Sequence, residues 1–274
     1  MGGTADTVTM RPFGAGTAGA KPQAAPAVPG AAAGRIGLRL LKFLLALALI
    51  PACVGMTIGI HDHFLAAWPR LNLAVCGPGA LLRWFLLGAV GFAVLAILLW
   101  RPVMLYVFGH ELVHALATWL CLGKVTNLSA STTGGQVTTS KSNTFIRLAP
   151  YCVPLYALLV AGAYLALDTW WRPLGAYLPC LAAALGFFYA FHVGFTLWSL
   201  RRSQPDLKPD GWLFSLVLIY LGNAAVFVLL VGFLADGHIR GAWLVLRDCA
   251  VLGWRHSADI YHNLAAMAQQ FVNR

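Results

Sequence analysis

Six long apolar segments, separated by short polar or turn-forming stretches, dominate the chain. Each is close to the roughly 20 residues that a helix needs to cross a bilayer. They cover residues 37–60, 80–100, 102–123, 148–167, 175–200 and 211–235. The pattern predicts an all-α membrane protein with about six transmembrane helices, in which residues 34–235 form one polytopic membrane domain.

The two ends of the chain depart from this pattern. Residues 1–33 are rich in Gly, Ala, Thr and Pro and show no apolar periodicity, which predicts a disordered tail. Residues 236–274 mix apolar and charged positions, and their apolar residues recur every three to four positions, as Trp243, Leu246, Ala250 and Trp254 do. This spacing predicts a C-terminal amphipathic helix that lies on the membrane surface or against the bundle.

The polar stretch Lys124–Asn143 is rich in Thr, Ser and Val and carries Gly134 and Gly135 near its middle. β-Branched residues on both sides of a glycine pair are typical of two short strands joined by a turn. We therefore expect a short β-hairpin after the third apolar segment, with a plain surface loop as the alternative.

Composition supports a membrane protein. Of the 274 residues, 59% are hydrophobic and only 10% are charged, whereas soluble domains carry about 25% charged residues. The formal net charge of +10 does not indicate a nucleic-acid partner, because the basic residues lie mainly at the ends of apolar segments, where they anchor a helix at the bilayer surface. Such residues are Arg35, Arg39, Lys42, Arg101, Arg201 and Arg202.

The third apolar segment contains the sequence His110-Glu111-Leu112-Val113-His114, and Glu111 is the only glutamate in the chain. On a helix, positions i and i+4 share a face, so His110 and His114 can bind one zinc ion while Glu111 activates a zinc-bound water. Such polar groups are costly to keep in lipid without a function. The alternative is a pair of histidines that only form interhelical hydrogen bonds.

A catalytic zinc ion usually has a third protein ligand and one open position. The segment from Ser203 to Gly211 offers Asp206 and Asp210, and its two prolines predict that it is not α-helical. His192 is a further candidate as a ligand or a hydrogen-bonding partner. His61 and His63 are expected to be surface histidines in a loop between helices.

These residues resemble the site-2 protease family of intramembrane zinc metalloproteases, particularly its compact bacterial members. The resemblance covers roughly residues 100–235 and consists of motifs in the family's order. They are His110-Glu111-Leu112-Val113-His114, Gly134-Gly135-Gln136-Val137, Leu148-Ala149-Pro150-Tyr151, and Gln204-Pro205-Asp206 with Asp210-Gly211.

The resemblance implies a metalloprotease-like core in which His110, His114 and one later aspartate bind Zn²⁺ and Glu111 is catalytic. The common form of the later motif, Asn-Pro followed by Leu-Asp-Gly, is absent. Compact relatives often carry Gln-x-Asp, which favours Asp206 narrowly over Asp210.

The implied activity is peptide-bond hydrolysis in membrane-protein substrates within the lipid bilayer. The resemblance also implies a multi-pass protein of the bacterial plasma membrane. The residues Gly134, Gly135, Gln136 and Val137 would contact the substrate. In the family the motif helix runs toward the cytoplasm, whereas the basic flanks favour neither orientation, and the oligomeric state stays open.

Two other classes of function compete with the protease. One is a non-proteolytic membrane scaffold that binds zinc for structure, which the altered later motif favours. The other is a small transporter that uses intramembrane His and Asp as a relay, although the chain shows no paired halves or inverted repeat.

Overall fold

The computed structural model describes residues 8–10, 31–67, 78–98, 102–170, 174–202, 204–236 and 239–273. These residues form helices and one small sheet. The helices are α1 (Ala31–Ala67), α2 (Pro78–Leu98), α3 (Val103–Leu120), α4 (Thr144–Cys152), α5 (Leu155–Trp170), α6 (Leu178–Leu200), α7 (Trp212–Asp236) and α8 (Ile239–Val272). The strands are β1 (Val8–Met10), β2 (Val125–Ala130) and β3 (Gly135–Thr139).

The chain divides into two compact units whose segments alternate along the sequence. Unit 1 contains Met1–Ala48, Pro102–Tyr151 and Leu197–Ile219, and unit 2 contains Leu49–Arg101, Cys152–Thr196 and Tyr220–Arg274. All of the zinc-site candidates on α3 and in the 203–211 segment therefore belong to unit 1.

Among the described residues, five helices are long and apolar enough to cross a membrane. These helices are α1, α2, α3, α6 and α7, and they match five of the six predicted segments. The segment predicted at 148–167 is not one straight helix, because α4 ends at Cys152 and α5 begins at Leu155 with a 72° bend at the break. Pro154 explains the break, since proline donates no backbone hydrogen bond and disfavours helical backbone in the residue before it.

The predicted β-hairpin is confirmed as β2 and β3, which pair antiparallel with Leu128 opposite Val137. Its loop is closed by Ser131, whose backbone N–H and hydroxyl both donate to the carbonyl of Gly134. Gly135 is not in the loop but is the first residue of β3.

The sheet has a third strand that the sequence analysis missed. Val8–Met10 forms β1 and pairs antiparallel with β3, so the strand order is β1-β3-β2. The prediction of a disordered tail is therefore wrong for residues 8–10 and for the start of α1 at Ala31. The other residues of the predicted tail lie outside the described part of the chain.

In unit 2, the helix predicted for residues 236–274 is confirmed as α8, and its tryptophans do not lie on its buried face. Trp243 and Trp254 are 61% and 71% exposed. The buried face is instead made of small residues, which include Cys249, Gly253 and Ser257. A Cβ atom on Gly59 of α1 would lie only 2.6 Å from the Gly253 nitrogen. Small residues permit such close approach of two helices.

Each unit has its own buried interior. Unit 1 buries apolar side chains of α3, β3 and α4 around Val107, Val137 and Ile146, each with no exposed surface. In unit 2 the core includes Phe85 of α2 and Leu185 of α6. In unit 1 the polar side chains of the candidate site lie beside this apolar interior, which removes them from solvent.

Candidate metal centre

Helix α3 presents the three polar residues of its central motif to the interior of unit 1. His110 is 3% exposed, and Glu111 and His114 have no exposed surface. Their neighbours Met104, Phe108 and Trp119 are exposed apolar residues on the opposite side. A helix that turns its polar residues inward and its apolar residues outward is suited to an apolar surrounding rather than to water.

The third side chain comes from the segment between α6 and α7. Pro205–Leu207 forms one turn of 3₁₀-helix, and Asp206 is buried within it. Its Oδ2 atom lies 3.7 Å from His110 Nε2 and 3.5 Å from His114 Nε2. The structure thus brings together His110, His114 and Asp206 as a buried group that could hold a metal ion.

The separations within this group fit a shared ion better than direct hydrogen bonds. Ligand atoms about 2.0–2.2 Å from an ion at the centre of a tetrahedron are roughly 3.4 Å apart, whereas a hydrogen bond to nitrogen is about 2.9 Å long. Both Nε2 atoms are buried without a hydrogen-bond partner among the described residues. Buried polar atoms are rarely left without a partner, so the residues present fit a bound cation.

The backbone of α4 orients His114. Its Nδ1 atom lies 2.8 Å from the carbonyl oxygen of Ile146. A carbonyl can only accept, so Nδ1 carries the proton and Nε2 keeps its lone pair for a metal. Metal-binding histidines commonly donate their second ring N–H to such an acceptor.

Tyr151, also on α4, holds the carboxylate of Asp206. Its hydroxyl lies 3.0 Å from Asp206 Oδ2 and 3.3 Å from Gln204 Oε1. Gln204 Nε2 donates to the Ser199 carbonyl at 2.8 Å, which turns its Oε1 toward the tyrosine. The Tyr151 ring also packs edge-on against His110, with centroids 4.9 Å apart. One side chain therefore positions two of the three candidate ligands.

The hairpin approaches Glu111 at the first residue of β3. A Cβ atom on Gly135 would lie 2.6 Å from both Cγ and Oε1 of Glu111 and 2.7 Å from Val107 Cγ1. Real Cβ atoms do not approach other atoms this closely, so only glycine fits here without displacing the carboxylate. Neither oxygen of Glu111 has a hydrogen-bond partner among the described residues, which leaves the carboxylate available to a reactant.

Asp210, the alternative third ligand, is not part of the group and has a different role. Its carboxylate accepts hydrogen bonds from Lys42, from Arg147 at 2.7 and 3.0 Å, and from Thr144 at 2.8 Å. Burial raises the pKa of Asp210, but the bonds from these partners outweigh it and hold the pKa below its usual range. Asp210 thus joins α1, α4 and the start of α7 within unit 1.

The other histidines that the sequence singled out belong to unit 2. His192 is a buried residue of α6 in unit 2. His61 and His63 belong to α1, which continues to Ala67, so their prediction as loop residues is wrong. Next to His61 in unit 2, Asp62 pairs with His256 of α8 at 3.0 Å.

The site roles of Tyr151, Lys42 and Arg147 were not predicted from the sequence. Tyr151 lies in one of the motifs that carry the resemblance, which was the available signal. Lys42 was interpreted only as a flanking cation and Arg147 was not singled out, because nothing local shows that they meet an aspartate far along the chain. Comparison with known proteins adds no assignment, since no protein-family model, curated protein or solved structure matches this chain.

Proposed function

We propose that this protein is an intramembrane zinc metalloprotease similar to the site-2 protease family. The observation that carries the proposal is the buried group of His110, His114 and Asp206 beside the unpartnered carboxylate of Glu111. Two imidazoles and one carboxylate are a ligand set that suits a catalytic zinc ion. Five long apolar helices support a location in a membrane.

In this proposal His110, His114 and Asp206 hold Zn²⁺. The ion, when bound, supplies Lewis acidity that polarises a carbonyl and lowers the pKa of a water molecule to about 7. Glu111 accepts the proton of the attacking water and delivers it to the amine that leaves. Tyr151 and the Ile146 carbonyl keep the ligands oriented during the reaction.

The substrate must present an extended backbone, because the carbonyls of an intact helix are already hydrogen-bonded. Strand β3 pairs with β2 on one side, and β1 covers only part of its other side. An extended peptide could add to that second side of β3 through main-chain hydrogen bonds. The substrate-contact residues that we propose are Gly134, Gly135, Gln136 and Val137. Gly135 supports this choice because it lies directly against Glu111.

Two measurements on detergent-purified protein test the proposal. The first is metal content per chain, with zinc, iron and manganese measured together. We expect about one zinc in the wild type and in Glu111→Gln. We expect its loss in His114→Ala and Asp206→Ala, and no effect of His61→Ala, whose side chain is 67% exposed.

The second measurement is cleavage of a transmembrane peptide that carries a fluorophore and a quencher on either side of a glycine-rich centre. We expect Glu111→Gln to abolish cleavage while it retains zinc. Full activity in Glu111→Gln would refute the mechanism. Zinc without cleavage in the wild type, across a panel of such peptides, would support the non-proteolytic scaffold instead.

A further inference from the structure

The outer edge of β3 is occupied by the chain's own amino-terminal segment. Val8 lies opposite Thr139, Thr9 opposite Thr138 and Met10 opposite Val137. Since β2 pairs with the other edge of β3, β1 takes the edge that an extended peptide would otherwise use. A strand on this edge satisfies main-chain groups that would be exposed.

Strand β1 runs toward the carboxylate of Glu111, the proposed catalytic residue. Because the pairing is antiparallel, β1 runs from the Thr139 end of β3 toward the Gly135 end, where Glu111 lies. Met10 pairs with Val137, two residues before Gly135 is reached, which corresponds to about 7 Å along a strand. The segment therefore follows the path on which a substrate strand would approach Glu111.

The described pairing covers only part of β3. Strand β1 has three residues, whereas β3 has five, and Gly135 and Gln136 lie beyond the β1 register. A longer extended peptide could pair with the whole strand and so form more main-chain hydrogen bonds than β1 does. Pairing within one chain is independent of protein concentration, so β1 is a constant but displaceable competitor.

We propose that Val8–Met10 is an intramolecular occupant of the substrate-strand site, which an extended peptide must displace before it reaches Glu111. The role as a competitor of substrate rests on the proposed protease function. The occupancy of the β3 edge rests on the strand register alone. The experiment therefore measures occupancy of the β3 edge and competition with substrate separately.

Binding is measured first, in the Glu111→Gln background so that no cleavage intervenes. The probe is a fluorescein-labelled synthetic peptide with the sequence of residues 5–13 of this chain. One variant carries Val8→Pro and Thr9→Pro, which remove backbone donors and disrupt strand pairing. The matched control carries Val8→Ala and Thr9→Ala, which keep the backbone able to pair.

If β1 occupies the edge about nine-tenths of the time, its release tightens apparent peptide binding about tenfold. We therefore expect about tenfold tighter binding to the proline variant than to the alanine control. Equal affinities would overturn the occupancy. A third variant with Ala18→Pro and Ala20→Pro, outside β1, should bind as the alanine control does.

Cleavage of the fluorogenic transmembrane peptide is measured second, with Glu111 restored. The proline variant should cleave faster than the alanine control, and the added 5–13 peptide should reverse the gain. Equal rates despite tighter peptide binding would overturn the competition while leaving the protease function intact. Absence of cleavage in every variant would instead refute the protease function, and the binding result would still decide the occupancy.

Discussion

Replacing Tyr151 with phenylalanine removes one oxygen atom from the candidate metal centre and keeps the ring against His110. The lost hydroxyl lies 3.0 Å from Oδ2 of Asp206, the same atom that faces both histidines. Asp206 is only 3% exposed, so water cannot readily replace the donor. Without this hydrogen bond, the Asp206 carboxylate should be oriented less firmly toward the bound ion.

The magnitude follows from the strength of that single bond. A hydrogen bond to a charged acceptor contributes about 1.5–3 kcal/mol, and each 1.4 kcal/mol corresponds to about a tenfold change in an equilibrium constant. Tyr151→Phe should therefore weaken zinc binding about 10- to 100-fold, which is the range usual for partners that orient metal ligands.

The assay is competition between the purified protein and a zinc chelator of known affinity. The matched control is Tyr189→Phe, because the hydroxyl of Tyr189 donates to the Asn223 carbonyl at 3.1 Å in unit 2. A general loss of stability would appear in both variants, whereas a loss of zinc affinity should appear in Tyr151→Phe alone. Wild-type zinc affinity in Tyr151→Phe would refute the positioning role.

Two further predictions concern Gly135 and Asp210. Gly135→Ala places a methyl group 2.6 Å from Glu111, so cleavage should fall at least about tenfold while zinc is retained. The control is Gly162→Ala, which adds a methyl group in open space and should have no effect on cleavage. Equal cleavage rates in the two variants would contradict the close approach of Gly135 to Glu111. Asp210→Asn removes the carboxylate charge that pairs with Lys42 and Arg147, and it should lower the free energy of unfolding by about 3 kcal/mol, measured by SDS titration at neutral pH. Because the folded pKa of Asp210 is depressed, its ionised form stabilises the fold fully above pH about 4. The difference from the wild type should therefore shrink as pH falls through the lower folded pKa, and a constant difference down to pH 2 would contradict the ion pair.

Local sequence determined most of the helices and two of the three candidate metal ligands, His110 and His114. An apolar run of about 20 residues has few alternatives to a helix, because every backbone polar group must be satisfied within it. The i, i+4 spacing of His110 and His114 places both on one face whatever the rest of the fold does. The β2–β3 hairpin could also be predicted from local sequence, since β-branched residues flank a glycine pair over a short distance.

Tertiary structure decided the features that depend on residues far apart in the chain. Asp206 and Asp210 stand in similar sequence surroundings, but Lys42, 168 positions away, and Arg147 pair with Asp210. That leaves Asp206 to face the histidines.

The buried face of α8 and the strand β1 also depend on partners far away in the sequence. The large apolar residues of α8, such as Trp243 and Trp254, are not the buried ones, so its small residues could be recognised as a packing surface only once α1 lay against them. A three-residue strand such as β1 has no periodicity of its own, because its partner strand supplies the hydrogen bonds that define it.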